Sequence, residues 1–142
     1  MNYFIKQEDL HGKTHIKITF ELNGRHLNFD DITEKMKLTP TMTRNYEDFP
    51  EVSKKCGAAR DIWLYSSCYN ESMLIAEEIE KFLPQLSDKI DIINELKQVY
   101  NITSMFIISI QAYDNPYPLI PMSCIEFAYK TNTEIEFAPY YY

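Results

Sequence analysis

A strict alternation of apolar and polar residues near the amino terminus constrains the fold most strongly. In the segment Thr14–Leu22, apolar residues at every second position alternate with polar ones, and the apolar set is Ile16, Ile18, Phe20 and Leu22. A period of two is typical of a β-strand that buries one face and leaves the other wet. The chain therefore needs a sheet and a second layer that covers its apolar side.

The remaining periodic segments predict helices packed on one face of that sheet. Further strands are predicted at Ile62–Tyr69, Ile102–Tyr113 and Thr133–Pro139. Amphipathic helices are predicted at 31–38, 72–86, 87–100 and 123–130, with Asp30 or Asp31 capping the first and with Ile125, Ala128 and Tyr129 as the apolar residues of the last. We therefore predict an α+β two-layer sandwich in the order β-α-β-α-α-β-α-β, with a four-stranded, largely antiparallel or mixed sheet.

The length of the chain corresponds to one domain. Its 142 residues, of which 45% are hydrophobic, suffice for one core, so we expect a single domain over residues 1–142. The segment 41–60 has no sustained period and contains Pro50 and Gly57. A long irregular loop is predicted there, and loops of that length are usually functional or mobile.

The chain lacks the sequence signals of export and membrane insertion. The segment Met1–Asp9 becomes charged at once, and no window has the roughly 18 apolar residues of a membrane span. The three cysteines, Cys56, Cys68 and Cys124, have no Cys-x-x-Cys spacing, so we expect reduced thiols, two of them buried. These features predict a cytoplasmic protein with no membrane partner.

Acidic residues dominate the second half of the chain. The protein has 21 acidic and 14 basic residues, which argues against a nucleic-acid partner because such binding needs a basic face. The stretch 71–95 alone has seven acids against Lys81 and Lys89. It is either a solvated helix surface or a docking surface for a basic protein partner, with Glu77, Glu78 and Glu80 as candidate contacts. The chain is expected to be a monomer, or a homodimer that pairs through an outer strand such as the one ending at Pro139.

Several short motifs together form a family-like pattern. In chain order they are Phe20–Leu22, Asp30–Thr33, Leu38–Thr41 and Arg60–Trp63, with the segment 123–137 at the end. The pattern resembles domain-of-unknown-function family 4279 over essentially the whole chain. This resemblance implies a small bacterial α+β domain of unassigned activity and supplies no catalytic residues. One departure is the run Lys37–Thr39, where the family usually carries a glycine, so the preceding helix is expected to end without a glycine cap.

No metal or cofactor is expected. His11 and His15 are four residues apart, but Gly12 and Thr14 disfavour a helix there, and His26 lies in another loop. The chain has only three glycines, which excludes glycine-rich phosphate loops.

A hydrolase is the least favoured interpretation. It would use Cys68 or the pair Asp30 and Asp31, and it requires a histidine beside the thiol or a carboxyl group with a raised pKa in a cleft. No catalytic residue is assigned.

Arg60, Trp63 and Thr41 are the candidate ligand-binding residues. They would line a pocket between the Trp63 strand and the segment 41–60, with Arg60 holding an anion. In the competing interpretation, Trp63 anchors the core and Arg60 pairs with a protein carboxylate.

The leading hypothesis is a non-catalytic domain that binds a protein through an acidic helical face. One concrete version is an immunity-like role that neutralises a basic toxin such as a nuclease. The alternatives are a small-ligand or anion sensor and a hydrolase.

Overall fold

The computed structural model of the protein describes residues 12–141. Its strands are β1 (His15–Gly24), β2 (Met42–Arg44), β3 (Asp61–Ser66), β4 (Asn70–Glu71), β5 (Thr103–Ala112) and β6 (Thr133–Tyr141). Its helices are α1 (Phe29–Met36), α2 (Glu51–Lys55), α3 (Ile75–Phe82), α4 (Ile90–Tyr100) and α5 (Met122–Thr131). Short 3₁₀ turns lie at Tyr46–Asp48 and Leu83–Gln85.

The strands form one mixed sheet in the order β2-β3-β1-β5-β6, and β4 pairs with the start of β1. β1 is antiparallel to β3 and β5, whereas β5 and β6 are parallel and are joined through α5. The expected α+β class is confirmed. The prediction of four strands is wrong, because β2 and β4 are three and two residues long and too short to show a period. The segment 41–60, expected to be irregular, contains β2, a 3₁₀ turn and α2.

The helices cover the side of the sheet that carries the apolar residues of β1, which we call the helix face. Phe20 of β1, Trp63 of β3 and Phe106 of β5 are fully buried there. Helices α1, α3, α4 and α5 contribute Ile32, Ile79, Leu96 and Phe127 to the same hydrophobic cluster. The opposite side, the open face, carries the polar residues of β1 and their cross-strand neighbours. The sandwich is therefore built from the period-two pattern of β1 and the amphipathic helices.

The first helix begins and ends differently from the prediction. The side chain of Asn28, not Asp30 or Asp31, accepts a hydrogen bond from the amide of Asp31 at 3.0 Å and caps α1. At the other end, Lys37 adopts the left-handed conformation with φ of 53°. Lys37 thus takes the conformation that glycine adopts most easily.

The thiols are distributed unequally. Cys56 and Cys68 are exposed and Cys124 is buried, so the expectation of two buried thiols is wrong. Burial raises the pKa of the Cys124 thiol to about 11. Among the described residues, no helix is long and apolar enough to cross a membrane.

Candidate functional site

The three acids predicted to contact a partner do not share one environment. α3 packs on the sheet through Ile75, Ile79 and Phe82, and Glu78 falls on the same stripe of the helix. Glu78 is only 4% exposed, and its carboxylate accepts hydrogen bonds from Lys81 at 3.0 Å and Asn70 at 3.1 Å.

Glu77 and Glu80 instead point outward from α3 and are exposed. Lys81 lies 3.6 Å from the carboxylate of Glu77, whereas Glu80 makes no ion pair with any described residue. Glu77 and Glu80 are therefore the acids of this trio that solvent and a partner can reach.

Helix α5 presents an apolar stripe to solvent, which we call the α5 stripe. Its members are spaced three and four residues apart, and they are Met122 at 76%, Ile125 at 45% and Tyr129 at 87% exposed. Ile125 and Tyr129, two of the apolar residues that predict this helix, therefore face outward. The buried side of α5 is formed by Cys124, Phe127, Ala128 and Thr131. The buried side includes a Cys and a Thr, so the spacing of large apolar residues in the sequence does not identify it.

A shallow groove joins the acids of α3 to the beginning of α5. Its volume is about 220 Å³, and it is lined by Glu80, Leu83, Pro84, Ser87 and Ser123. Within α5, Glu126 pairs with Lys130 at 2.7 Å. The groove therefore joins Glu80 of α3 to the first turn of α5, where the stripe begins at Met122, and we call the exposed sides of these two helices the α3–α5 surface.

Arg60, Trp63 and Thr41 lie apart from one another. Trp63 is fully buried on the helix face, where its Nε1 donates a hydrogen bond to Thr33 Oγ1 at 3.0 Å. Thr41 Oγ1 accepts a hydrogen bond from the amide of Ser66 at 2.9 Å. Trp63 thus connects β3 to α1, and Thr41 connects the segment that leads into β2 to the end of β3.

The guanidinium of Arg60 belongs to the open face. Its Nη1 donates to Asn23 Oδ1 at 3.0 Å, and Asn23 Nδ2 donates to Glu21 Oε2 at 2.8 Å. Arg60 is therefore connected to a carboxylate through an amide. Trp63 lies across the sheet on the helix face. Of the cavities found among the described residues, those of about 440, 300, 330 and 220 Å³ are lined by none of Arg60, Trp63 and Thr41.

A polar cavity does lie beside the segment 41–60. Its volume is about 300 Å³, and it is lined by Arg25, His26, Asn45, Tyr46, Glu47, Asp48 and Asp61. The carboxylate of Asp61 accepts hydrogen bonds from the amides of Tyr46 at 2.7 Å and Leu27 at 3.1 Å. The guanidinium of Arg25 lies 3.5 Å from the centre of the Tyr46 ring. The cavity lies between the segment 41–60 and β3, the strand of Trp63, but its lining includes none of Arg60, Trp63 and Thr41. Arg25 and His26 reach it from a turn that is distant along the chain, so no sequence pattern connects them with it.

An apolar groove opens at the carboxyl ends of the parallel strands β5 and β6. Its volume is about 440 Å³, and it is lined by Ile75, Ile110, Asn115, Pro116, Pro118, Phe137 and Pro139. Only Asn115 supplies a polar side chain. The carboxyl ends of parallel strands are a common place for ligands in α/β sheets.

The groups considered for hydrolysis are dispersed. Cys68 is exposed beyond the end of β3. Hydrogen bonds from the Tyr100 hydroxyl and from Lys35 hold the pKa of Asp31 below its usual value, the opposite of what a general acid requires. Among the described residues no group of three or more His, Cys, Asp and Glu side chains is placed to hold a metal, and His11 lies outside them.

The sequence matches one family model over nearly its whole length. The model is that of the domain of unknown function DUF4279, and it matches residues 14–142. The chain belongs to the DUF4279 family. Neither the curated proteins nor the solved structures give a match. Membership of the DUF4279 family establishes what the chain is related to and assigns no activity to it.

Proposed function

We propose that this DUF4279 chain is a protein-binding domain that docks a basic partner on the α3–α5 surface. The observation that carries the proposal is the α5 stripe, whose Met122 and Tyr129 are 76% and 87% exposed. Isolated apolar residues on a surface need no explanation, but a helical stripe of three large ones is typical of an interaction site. Methionine and tyrosine are also enriched among interface residues.

The charges around the stripe support a basic partner. Glu80 and Glu77 lie on the adjoining helix, and the groove lined by Glu80 and Ser123 joins the two elements. Acids around an apolar centre steer a positively charged protein and oppose acidic competitors. Neutralisation of a basic toxin such as a nuclease, an immunity-like role, is one function that such a surface supports.

Affinity capture from the native host, followed by titration of the recovered partner, tests the proposal. We expect Tyr129→Ala to weaken binding by about tenfold or more, since tyrosines that become buried in an interface are frequent hot spots. Glu77→Lys combined with Glu80→Lys should slow association and reduce its salt dependence.

Glu34→Lys provides the matched control, because Glu34 is an exposed acid on α1. This variant changes the charge by the same amount per residue, but at a site away from the α3–α5 surface. It should therefore leave binding unchanged. Equal loss in the control and in the α3 variants contradicts the proposal, as does unchanged binding in Tyr129→Ala.

The polar cavity beside the segment 41–60 supports a second candidate, a small-ligand or anion sensor. Arg25 supplies one cation to the lining, beside the carboxylates of Glu47, Asp48 and Asp61, and the volume of about 300 Å³ accommodates a small metabolite. Trp63 is two residues from Asp61, which lines the cavity, so its fluorescence should respond to a bound ligand. A flat response across a library of metabolite anions contradicts this candidate.

A further inference from the structure

Strand β6 has an outer edge that no described strand covers. It is nine residues long and lies at one end of the sheet, where it pairs only with β5 among residues 12–141. Within the part of the chain that the structure describes, the opposite end of the sheet is formed by β2 and β4, which are three and two residues long. A short edge strand leaves few backbone groups available for pairing, whereas a long edge strand presents a row of amides and carbonyls that another strand can pair with.

The two faces of β6 differ in chemistry. The register places Glu134 and Glu136 beside Met105 and Ile107 on the open face. Ile135 and Phe137 lie beside Phe106 and Ile108 on the helix face. A strand added to this edge therefore meets alternating acidic and apolar neighbours.

Three acidic side chains, those of Glu21, Glu134 and Glu136, lie on the open face near this edge. Burial raises the pKa of Glu21, and the charge of Glu136 raises it further, whereas Asn23 and Arg60 act in the opposite direction. Glu21 and Glu134 both face Met105 in the register, one from each neighbouring strand. A cation placed beside Glu134 and Glu136 is consequently favoured, because it offsets several like charges.

The helix face beside the same edge offers an apolar groove. Phe137 is 43% exposed, and it lines the 440 Å³ groove together with Pro139 and Ile110. A side chain projecting from an added strand next to Phe137 lies at this groove. The groove can therefore receive a large apolar or aromatic side chain.

We infer that the outer edge of β6 binds an extended segment of a partner protein as an added strand, in which Lys or Arg alternates with large apolar residues. Main-chain hydrogen bonds along the edge supply affinity, and the acids and the groove select the side chains. Pro139 has no amide hydrogen, so pairing is expected over 133–138. The inference does not depend on the α3–α5 surface.

A second copy of the chain is a less suitable occupant. Antiparallel pairing of two β6 strands brings Glu134 and Glu136 of both copies onto the same face. Like charges on neighbouring strands destabilise a sheet, and the chain already has a net charge of −7.

Amide hydrogen exchange of the full chain, followed by NMR, tests the inference. The probe is an acetylated peptide of sequence Lys-Val-Lys-Phe-Lys-Val, with an N-methylated version as the control for backbone pairing. We expect the β6 amides that exchange rapidly in the free protein to become protected on addition of the peptide. The N-methylated peptide should give no such protection.

Charge variants identify the side-chain contribution. Glu134→Lys combined with Glu136→Lys should weaken peptide binding by about tenfold or more, because like charges then face each other. The matched control is Glu34→Lys combined with Glu95→Lys, which makes the same change of charge at exposed acids of α1 and α4 and should leave peptide affinity unchanged. Loss of peptide affinity in Glu77→Lys combined with Glu80→Lys, but not in the β6 variant, assigns the peptide to the α3–α5 surface and overturns the inference.

Several results overturn the inference. These are absence of β6 protection at millimolar peptide, equal binding of the N-methylated peptide, and unchanged affinity in the Glu134 and Glu136 variant. Protection of the outer β6 amides that rises with protein concentration, without peptide, assigns the edge to a homodimer and overturns it too. Unchanged NMR spectra outside β6 confirm that each variant is folded.

Discussion

The helix face and the open face of the sheet are stabilised in different ways, although the same strands form both. On the helix face, Ile16 and Phe20 are fully buried against apolar side chains of the helices. On the open face, buried Asn23 bridges Glu21 and Arg60 by hydrogen bonds. Close packing of apolar side chains stabilises the helix face, whereas hydrogen bonds between neighbouring polar side chains stabilise the open face. The second face therefore retains charges that a partner can meet at the edge of the sheet.

Thiol labelling gives the largest expected contrast between the interior of the helix layer and the surface. Cys56 and Cys68 are exposed, whereas Cys124 is buried in α5 and its pKa is raised to about 11 by burial. We expect a chromogenic disulfide reagent at pH 8 to modify Cys56 and Cys68 quickly. Cys124 should react at least about a thousandfold more slowly, because its modification requires opening of the fold.

Unfolding in guanidinium chloride should release the third thiol at once, which provides the control. Rapid labelling of all three thiols in the native protein contradicts a close-packed helix face.

Two neighbouring isoleucines on β5 test the same comparison by mutation. Ile108 is fully buried on the helix face, whereas Ile107 is half-buried on the open face. Ile108→Ala should lower the free energy of unfolding by about 2–5 kcal/mol, since it leaves a cavity. Ile107→Ala should lower it by about 1 kcal/mol, mainly through lost apolar burial. Equal losses, measured by denaturant unfolding, contradict the asymmetry between the faces.

A backbone change at the end of α1 tests the helix layer separately, because it stabilises α1 and changes no residue of the sheet. Lys37 has φ of 53°, a conformation that costs a residue with a Cβ more than it costs glycine. Lys37→Gly should raise the free energy of unfolding by about 0.5–1 kcal/mol after allowance for the greater freedom of glycine in the unfolded chain.

Lys35→Gly is the matched control inside α1. It should lower stability by about 1 kcal/mol, because glycine is a poor residue in a helix interior. A loss in both variants argues that Lys37 makes a contribution beyond its backbone conformation.

The smallest expected effect concerns the charge on the open face. Burial raises the pKa of Glu21, and Glu136 adds to it. A carboxyl group with a raised pKa in the folded state stabilises the fold below its unfolded pKa, and this contribution is lost as the pH rises through the folded pKa. Glu21→Gln should therefore raise stability at pH 7, and the gain should disappear towards pH 4.

Denaturant unfolding of both proteins at the two pH values measures this difference. Glu34→Gln, an exposed change on α1, should leave the unfolding free energy within about 0.5 kcal/mol at each pH. A destabilised Glu21→Gln at pH 7 indicates that the contacts with Asn23 and Arg60 outweigh burial.

Local sequence patterns are enough to predict the fold class and the helix face. The alternation in β1 identified Ile16, Ile18 and Phe20 as buried, because a strand presents every second residue to the same side. The amphipathic spacing located α3, α4 and α5 to within a few residues of their observed ends. Short elements such as β2 escaped, since three residues contain no measurable period.

Which charged and aromatic side chains remain accessible depends on how the helices and strands pack together. Glu78 and Glu80 look equivalent in the sequence, yet Glu78 packs against the sheet and Glu80 faces a groove. Tyr129 is exposed although it belongs to the apolar pattern that predicts α5, because the buried side of α5 includes Cys124 and Thr131 instead. The outer edge of β6 likewise follows from strand order, which depends on pairing between segments far apart in the chain. Local periodicity encodes what is buried, whereas long-range packing selects what is left exposed for a partner.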